Sequence, residues 1–416
     1  MLTPRKQKLF VPFLIRRRLF LLLLLLLVLV FFVVLRCLPT GNNHIVSGKW
    51  LPDYDVEATP RYLHRSSYRK SPDYAYERSV SEALQSIERD VLEGNGGQRL
   101  ADARIWQIRL GDYPVNLDRG PDSLMFENVN SEWEYQLVTD TEADRFITTV
   151  LAAVPELKTL YDSYPYHVIR SDLLRYLLLW YYGGYYADMD VFPAKSIKSC
   201  PSLAPLFAEP DSRPNVSLVV GIEIDEPHAS PQLMRDWHWI RTYGLIQYTI
   251  YAPQRFSPLL REVIVRVLAH TRQHNKYSLP LIGPRYNEKT ILEVTGPGVF
   301  TDAILDALSD GLPTAHSLIE ESVESDKGIG DLVGPSGEIS KRVTWAPFHT
   351  IREPLCVDAQ EAAIGKSFGG LCVLPINAWG NGQRHSGAEN FRSRHACVNH
   401  RFGGTWKKDW WSRHFG

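Results

Sequence analysis

Between Arg170 and Lys195, the greasy and aromatic run RSDLLRYLLLWYYGGYYADMDVFPAK (170–195) carries four charged residues: Asp172, Arg175, Asp188 and Asp190. Alternate side chains of a strand share a face, so Asp188 and Asp190 are expected together, opposite Ala187, Met189 and Val191. Two carboxylates held that close repel unless a proton or a cation intervenes. Mg²⁺ and Mn²⁺ favour oxygen ligands and commonly bind through one or two carboxylates plus substrate phosphates. A lone D-x-D is weak evidence, because such triplets arise by chance and cap turns. Asp172 and Arg175 lie three apart and share a helix face. That helix is apolar nearly all round, the pattern of a buried element, and a buried charge needs a partner. Either the two residues pair with each other, or they point into a polar ligand site. Gly183-Gly184 then stops the helix. The D-x-D follows at a strand end, where open α/β sheets bind ligands. In that context the four residues point to a metal–diphosphate site.

The elements that would position them are legible in outline. ARIWQIRL (103–110) and EWEYQLVTD (132–140) are predicted strands, and TEADRFITTVLAAV (141–154) a helix with an acidic first turn. HVIRSDLLRYLLLWYY (167–182) is a buried helix, GGYYADMDVFP a turn–strand–turn, VSLVVGIEID (216–225) a strand and SPLLREVIVRVLAHTRQ (257–273) a long helix. Strands alternating with helices predict an α/β sheet. About 310 residues are ample for one large core.

The chain of 416 residues carries 46 Lys+Arg against 47 Asp+Glu, which excludes the basic excess of a nucleic-acid binder. Its N-terminus is different. Residues 1–18 hold six basic residues and no acid, and LFLLLLLLLVLVFFVVL (19–35) holds no polar group. Seventeen residues span roughly 26 Å as a helix, enough for a thin bilayer of about 27 Å. Basic residues before the span place 1–18 in the cytosol. The reading is a cytosolic tail (1–18), a signal-anchor (19–35), a luminal stem (36–99) and a catalytic domain (100–416). A signal peptide is the rival for 19–35, but RCLPTGN lacks a clean small-x-small cleavage site. Within the stem, SVSEALQSIERDVLE (79–93) reads as one amphipathic helix. Cys37 abuts the span. Cys200, Cys356, Cys372 and Cys397 allow two disulfides in three connectivities, and Asn215-Val216-Ser217 is a glycosylation sequon.

SDLLRYLLLWYYGGYYADMDV resembles the signature of glycosyltransferase family 32, the group of the fungal initiation-specific α-1,6-mannosyltransferases. RIWQI, WEYQLVTD, VGIEID, EVTGPGVFTDAI (293–304) and VNHRFGGTWK (398–407) are similar to further family motifs in the same order. The resemblance implies a GT-A fold, a Rossmann-like mixed sheet flanked by helices. It also implies a nucleotide-sugar donor and Mn²⁺ or Mg²⁺. By that resemblance Asp188 and Asp190 bind metal and donor, and Asp172 and Arg175 contact the donor's sugar and phosphates. Trp106 stacks on the base, and the turn holding Thr295, Gly296 and Gly298 lets backbone approach the ligand. His400 is a third metal ligand or diphosphate contact, with Gly403, Gly404 and Trp406 beside it. Each has a plain rival: core packing for Trp106, an ordinary turn with Thr301 as cap, an exposed tail histidine. Glu223 and Asp225 either line the acceptor side or pair with arginines. IWQIRLG and the Gly404-Thr405 tail depart from the family's usual residues, which leaves the acceptor open.

The expected function is a Golgi type II membrane protein with a luminal catalytic domain. It would transfer mannose from GDP-mannose to a glycan acceptor, α-1,6 to an N-glycan core, with retention, and work within a mannosyltransferase complex. Rivals are mannose transfer to inositol phosphorylceramide, galactose transfer from UDP-galactose, and a non-catalytic glycan-binding or assembly subunit.

Overall fold

The structure is a computed structural model that describes residue 24 and residues 66–111, 119–278, 283–326 and 341–403. The chain divides into two compact units, Met1–Val56 and Glu57–Gly416, and every described residue except Leu24 belongs to the second. The expected cytosolic tail, and all of the expected span but Leu24, lie outside the described residues. No described helix is long and apolar enough to cross a membrane.

The first long helix, α1 (Tyr74–Gly94), falls in the segment read as stem, and here the structure corrects the sequence. Tyr76, Val80, Leu84 and Ile87 recur at helical spacing and are all buried in the main core. Glu88 also takes ion pairs from Arg99 at 2.6 Å and Arg261 at 3.0 Å. An apolar face of that size needs a partner, and the main core supplies it.

The strands follow the predicted order: β1 (Arg104–Ile108), helix α2 (Pro121–Val129), β2 (Glu134–Val138), helix α3 (His167–Tyr182) and β3 (Gly184–Ala187). Next come β4 (Val191–Pro193), β5 (Leu218–Asp225), β6 (Tyr243–Leu245), β7 (Thr249–Ala252) and the long helix α4 (Pro258–Lys276). Helices α5 (Glu288–Val294) and α6 (Pro297–Gly311) precede β8 (Leu355–Val357), β9 (Leu371–Leu374) and β10 (Val398–His400). The main sheet is mixed and runs β2–β1–β3–β7–β5–β9–β8, with β6 beside β5. β1, β2 and β3 are parallel. β7 is antiparallel to both β3 and β5, so β5 runs with β3, and β9 is parallel to β5. The C-terminal ends of β1, β2, β3, β5 and β9 therefore share one sheet edge, together with the start of β7. Since β7 alone separates β3 from β5, those two ends lie about 10 Å apart. β4 pairs with β10 in a separate antiparallel ribbon.

Strand alternation feeds two cores. Trp106, Tyr186, Leu218 and Val220 pack on the helical side, while Ile105, Tyr185 and Val219 face the other. Helix α3 lies within the first core, with Leu173, Leu174, Leu177 and Leu179 at zero exposure. Each such side chain contributes about 1.5–3 kcal/mol. Gly183 (φ 67°) and Gly184 (φ 94°) turn the chain from α3 into β3. A Cβ at Gly183 would sit 2.4 Å from Ala101 Cβ, and one at Gly184 2.6 Å from the Arg104 carbonyl oxygen. Only glycine fits either position.

Candidate functional site

Asp188 lies just beyond β3, and Met189 and Asp190 form a turn into β4. The expectation of a shared strand face is corrected: the turn, and not strand alternation, sets the two carboxylates. The turn is fixed from several sides. The Asp188 amide donates to Tyr248 O at 2.8 Å, and Val191 N closes on Asp188 O at 3.1 Å. Gln107 Nε2, from β1, donates to the same carbonyl at 3.1 Å. The Tyr186 hydroxyl donates to Asp188 Oδ1 at 2.5 Å.

β10 brings in His400 opposite Val191. Its Nε2 lies 3.0 Å from Asp190 Oδ1, and its ring stacks on Tyr248 at 4.2 Å. The disulfide Cys200–Cys397, with Ala194 N and Lys195 N both donating to Cys397 O, ties β10 to β4. Arg401 adds a bidentate pair with Asp122 of α2. The other bridge, Cys356–Cys372, joins β8 to β9. Of the three connectivities open to the sequence, this one pins the histidine. Replacing Cys200 and Cys397 together by Ser is expected to cost about 3–5 kcal/mol, from the long loop closed. If the Asp188–Asp190–His400 cluster holds a divalent cation, freeing β10 should also weaken that binding. Thermal unfolding with and without a divalent cation checks both; a wild-type cation shift in the double variant would refute the tether.

Of the two readings offered by the sequence for Asp172 and Arg175, the structure shows the pairing. The two side chains pair at 2.8 Å, and the same Arg175 Nη2 reaches Asp188 Oδ1 at 3.6 Å. Arg175 Nη1 donates to Gln247 O at 2.9 Å, and Gln247 Nε2 donates to Asp172 Oδ1 at 3.3 Å. Thr295 Oγ1 donates to Asp172 Oδ2 at 2.8 Å. Burial pushes the Asp172 carboxyl up to about 7, with Arg175 and Thr295 pulling it back. Burial opposes charge on Arg175 too, but Asp188 and Asp172 outweigh it and keep the guanidinium protonated.

Two other expectations change. Trp106 is 4% exposed, its Nε1 donates to Gly183 O at 2.8 Å, and Tyr182 and Arg104 cover its ring. It is core that holds the Gly-Gly turn, with no open face for a base. Gly296 and Gly298 approach the chain itself. A Cβ at Gly298 would meet Ile240 Cδ1 at 2.3 Å, and one at Gly296 would meet Leu292 Cα at 2.7 Å. These glycines let α6 start directly against α5, which delivers Thr295 to Asp172. Thr301 is not a cap; inside α6 its Oγ1 accepts from Leu245 N at 2.9 Å. Gly404 and Trp406 lie outside the described residues.

The structure also separates the two acids of β5. Asp225 accepts from Thr350 N at 2.7 Å and meets His349 Nδ1 at 2.7 Å, a structural role. Glu223 is different. Burial pushes its carboxyl up to about 7, with His400 lowering it and Asp188 raising it. It lies near the C-terminal end of β5, the sheet edge that also carries Asp188. Gln247 and Tyr248, just before β7, were not legible as site residues. The link between β6 and β7 that holds them is short and carries no motif.

Asp188, Asp190 and His400 each offer one ligand atom, all within 4.8 Å of one another. The two aspartate side chains are 28% and 34% exposed, so solvent reaches them. His400 Nδ1 is buried without a hydrogen-bond partner among the described residues. Burial alone would raise the Asp190 carboxyl, yet the His400 contact and backbone donors hold it below its ordinary value. Two carboxylates and an imidazole are a ligand set that a divalent cation can use.

Residues 121–207, which include this turn, match the family model described as a glycosyltransferase sugar-binding region containing a DXD motif. This chain carries a DXD glycosyltransferase domain. It is 26% identical over 285 residues to the initiation-specific alpha-1,6-mannosyltransferase of Candida albicans, covering 68% of this chain and 66% of that protein. The enzyme of the same name from Saccharomyces cerevisiae is 25% identical over 360 residues, covering 67% and 71%. The chain thus spans about two thirds of the length of these relatives. Inositol phosphoceramide mannosyltransferase 3 of Schizosaccharomyces pombe is 44% identical over 64 residues, 15% of this chain and 17% of that one. The family model and the relatives' names together support a hexosyltransferase.

Proposed function

We propose that the protein is a metal-dependent mannosyltransferase that moves mannose from GDP-mannose to a glycan, α-1,6 to an N-glycan core, in the Golgi lumen. The observation that carries this reading is the Asp188–Asp190–His400 triplet backed by Arg175, in a chain similar to α-1,6-mannosyltransferases. The leader 1–35, with its basic tail and apolar run, supports a type II membrane anchor.

Asp188, Asp190 and His400 would hold the cation. When bound it supplies Lewis-acid character and neutralises a diphosphate leaving group. The protein's own contribution is fixed charge and fixed geometry. Arg175 sits behind Asp188 as a buried, permanently positive group aimed where negative charge develops. Tyr186 and Gln107 hold Asp188 so that it need not reorganise. In the reaction the bond from C1 to the diphosphate oxygen breaks, and a bond from C1 to the acceptor oxygen forms on the same face. The acceptor hydroxyl proton passes to the departing phosphate, and configuration is retained.

The test is transfer by the full chain in detergent from GDP-mannose to an α-mannose oligosaccharide with Mn²⁺. Transfer that EDTA stops is expected, with no transfer from UDP-galactose. Absence of metal-dependent nucleotide binding would point instead to a non-catalytic glycan-binding protein. The short, closer match to an inositol phosphoceramide mannosyltransferase favours a second reading, a sphingolipid acceptor. Running both acceptors in one assay decides between them.

A further inference from the structure

Beyond the donor cluster, the same sheet edge carries an exposed aromatic group. Trp237 and Trp239 stack on each other with centroids 5.7 Å apart and planes 17° apart. The His385 ring meets both edge-on, at 4.9 and 4.7 Å. Trp237 is 38% exposed, so much of its ring faces water. Exposed apolar surface rimmed by polar residues can mark a ligand-binding groove. The backbone between the two tryptophans is held at φ 57° on His238, a left-handed geometry unusual for a non-glycine residue. Such outliers are retained where surrounding structure fixes them, often for function.

The group is built onto the end of β5. The Asp225 amide donates to Ser386 Oγ at 2.9 Å, and the Ser386 amide donates to Glu226 Oε1 at 2.6 Å. His385 is therefore fastened at the C-terminal end of β5, the sheet edge that also carries Asp188. Along the strand, Glu223 to Asp225 is about 7 Å. On its other side Trp239 borders a cleft of about 710 Å³, shared with Arg235, His238, Glu288 and Lys289. That volume lies within the range of sites that enclose a small ligand. The cleft's polar and charged rim beside flat rings has the chemistry of a carbohydrate site. Hydroxyls need polar partners, and the C–H face of a sugar ring packs on the electron-rich face of an indole.

We propose that Trp237, Trp239 and His385 form the platform on which a sugar ring of the oligosaccharide acceptor stacks, with further units running into the cleft beside Trp239. This rests on the donor-site reading for its orientation, but its binding chemistry can be tested without the donor. The first measurement uses the full chain and an α-mannose oligosaccharide alone, with saturation transfer by NMR. Wild type is expected to bind, Trp237→Ala to lose about tenfold or more in affinity, and Trp237→Phe, which keeps a flat ring, to stay within about threefold. The second measurement is thermal stabilisation by GDP-mannose with Mn²⁺, expected to be equal in wild type and Trp237→Ala. Under turnover, the acceptor KM should rise about tenfold in Trp237→Ala.

Oligosaccharide binding that is absent in wild type, or unchanged in Trp237→Ala, overturns the platform. So does a wild-type dimer that Trp237→Ala breaks in sedimentation, because the rings would then serve a second copy of this chain. Loss of donor stabilisation in every variant, with Trp237-dependent oligosaccharide binding intact, removes the donor reading and leaves the platform standing.

Discussion

Asp190→Asn is expected to lower transfer about a thousand-fold or more, roughly 4 kcal/mol of transition-state stabilisation, while the protein keeps its fold. The substitution is nearly isosteric. The remaining amide oxygen still accepts from His400 Nε2, so the 3.0 Å contact that orders the histidine survives. The Asp190 side chain is 34% exposed, so removing its charge leaves no buried group stranded. What disappears is one of two carboxylates beside the cation position. Wild type should gain thermal stability from Mn²⁺ with GDP, because a ligand that binds only the folded state stabilises it by RT ln(1 + [L]/Kd). Asp190→Asn should unfold at the wild-type temperature without ligand and show little shift with it. Metal-dependent turnover near the wild-type rate would sink the metal-ligand role of Asp190.

Arg175→Met has the opposite profile: it strikes the fold and the chemistry together. Arg175 is 3% exposed and holds Asp172, Asp188 and the Gln247 carbonyl. Methionine fills similar space but strands the Asp172 carboxylate, which keeps only Thr295 and Gln247 as donors. Removing one partner of a buried pair typically costs about 3–5 kcal/mol. Adding Asp172→Asn should recover part of that loss, because the uncompensated charge goes with it. Urea unfolding of the two single variants and the double closes the cycle. Activity is expected to stay low in the double variant even as stability returns, since the positive charge behind Asp188 is still missing. Recovery of both together would mean that Arg175 serves only the fold.

Features with local causes are legible in the sequence, and features that depend on distant chain are not. Helix α3 is read from sequence to its observed ends because its causes are local: an apolar surface all round and two glycines that end it. The strand positions of β1, β2 and β5 follow from short apolar runs in the same way. The same logic misplaces Asp188 and Asp190, because strand alternation is a local rule and the chain turns one residue early. It also misreads α1. Its amphipathic face is plain in the sequence, but whether that face meets α4 or solvent is a question about another part of the chain.

The sequence named candidates: the D-x-D and the Asp172/Arg175 pair from residue type and spacing, the Thr295 turn and the His400 box through the family resemblance. Only the tertiary structure decided how they meet. His400 reaches Asp190 from 210 residues away through a strand pairing and a disulfide. Thr295 reaches Asp172 from 123 residues away because Gly296 and Gly298 permit two helices to abut. Trp106 passed from candidate ligand contact to core, and Asp225 took a structural role on Thr350 and His349. Composition and spacing carry the identity of a side chain and its local backbone. The partner it finds depends on register and packing across the sheet edge, which a few neighbouring residues do not encode.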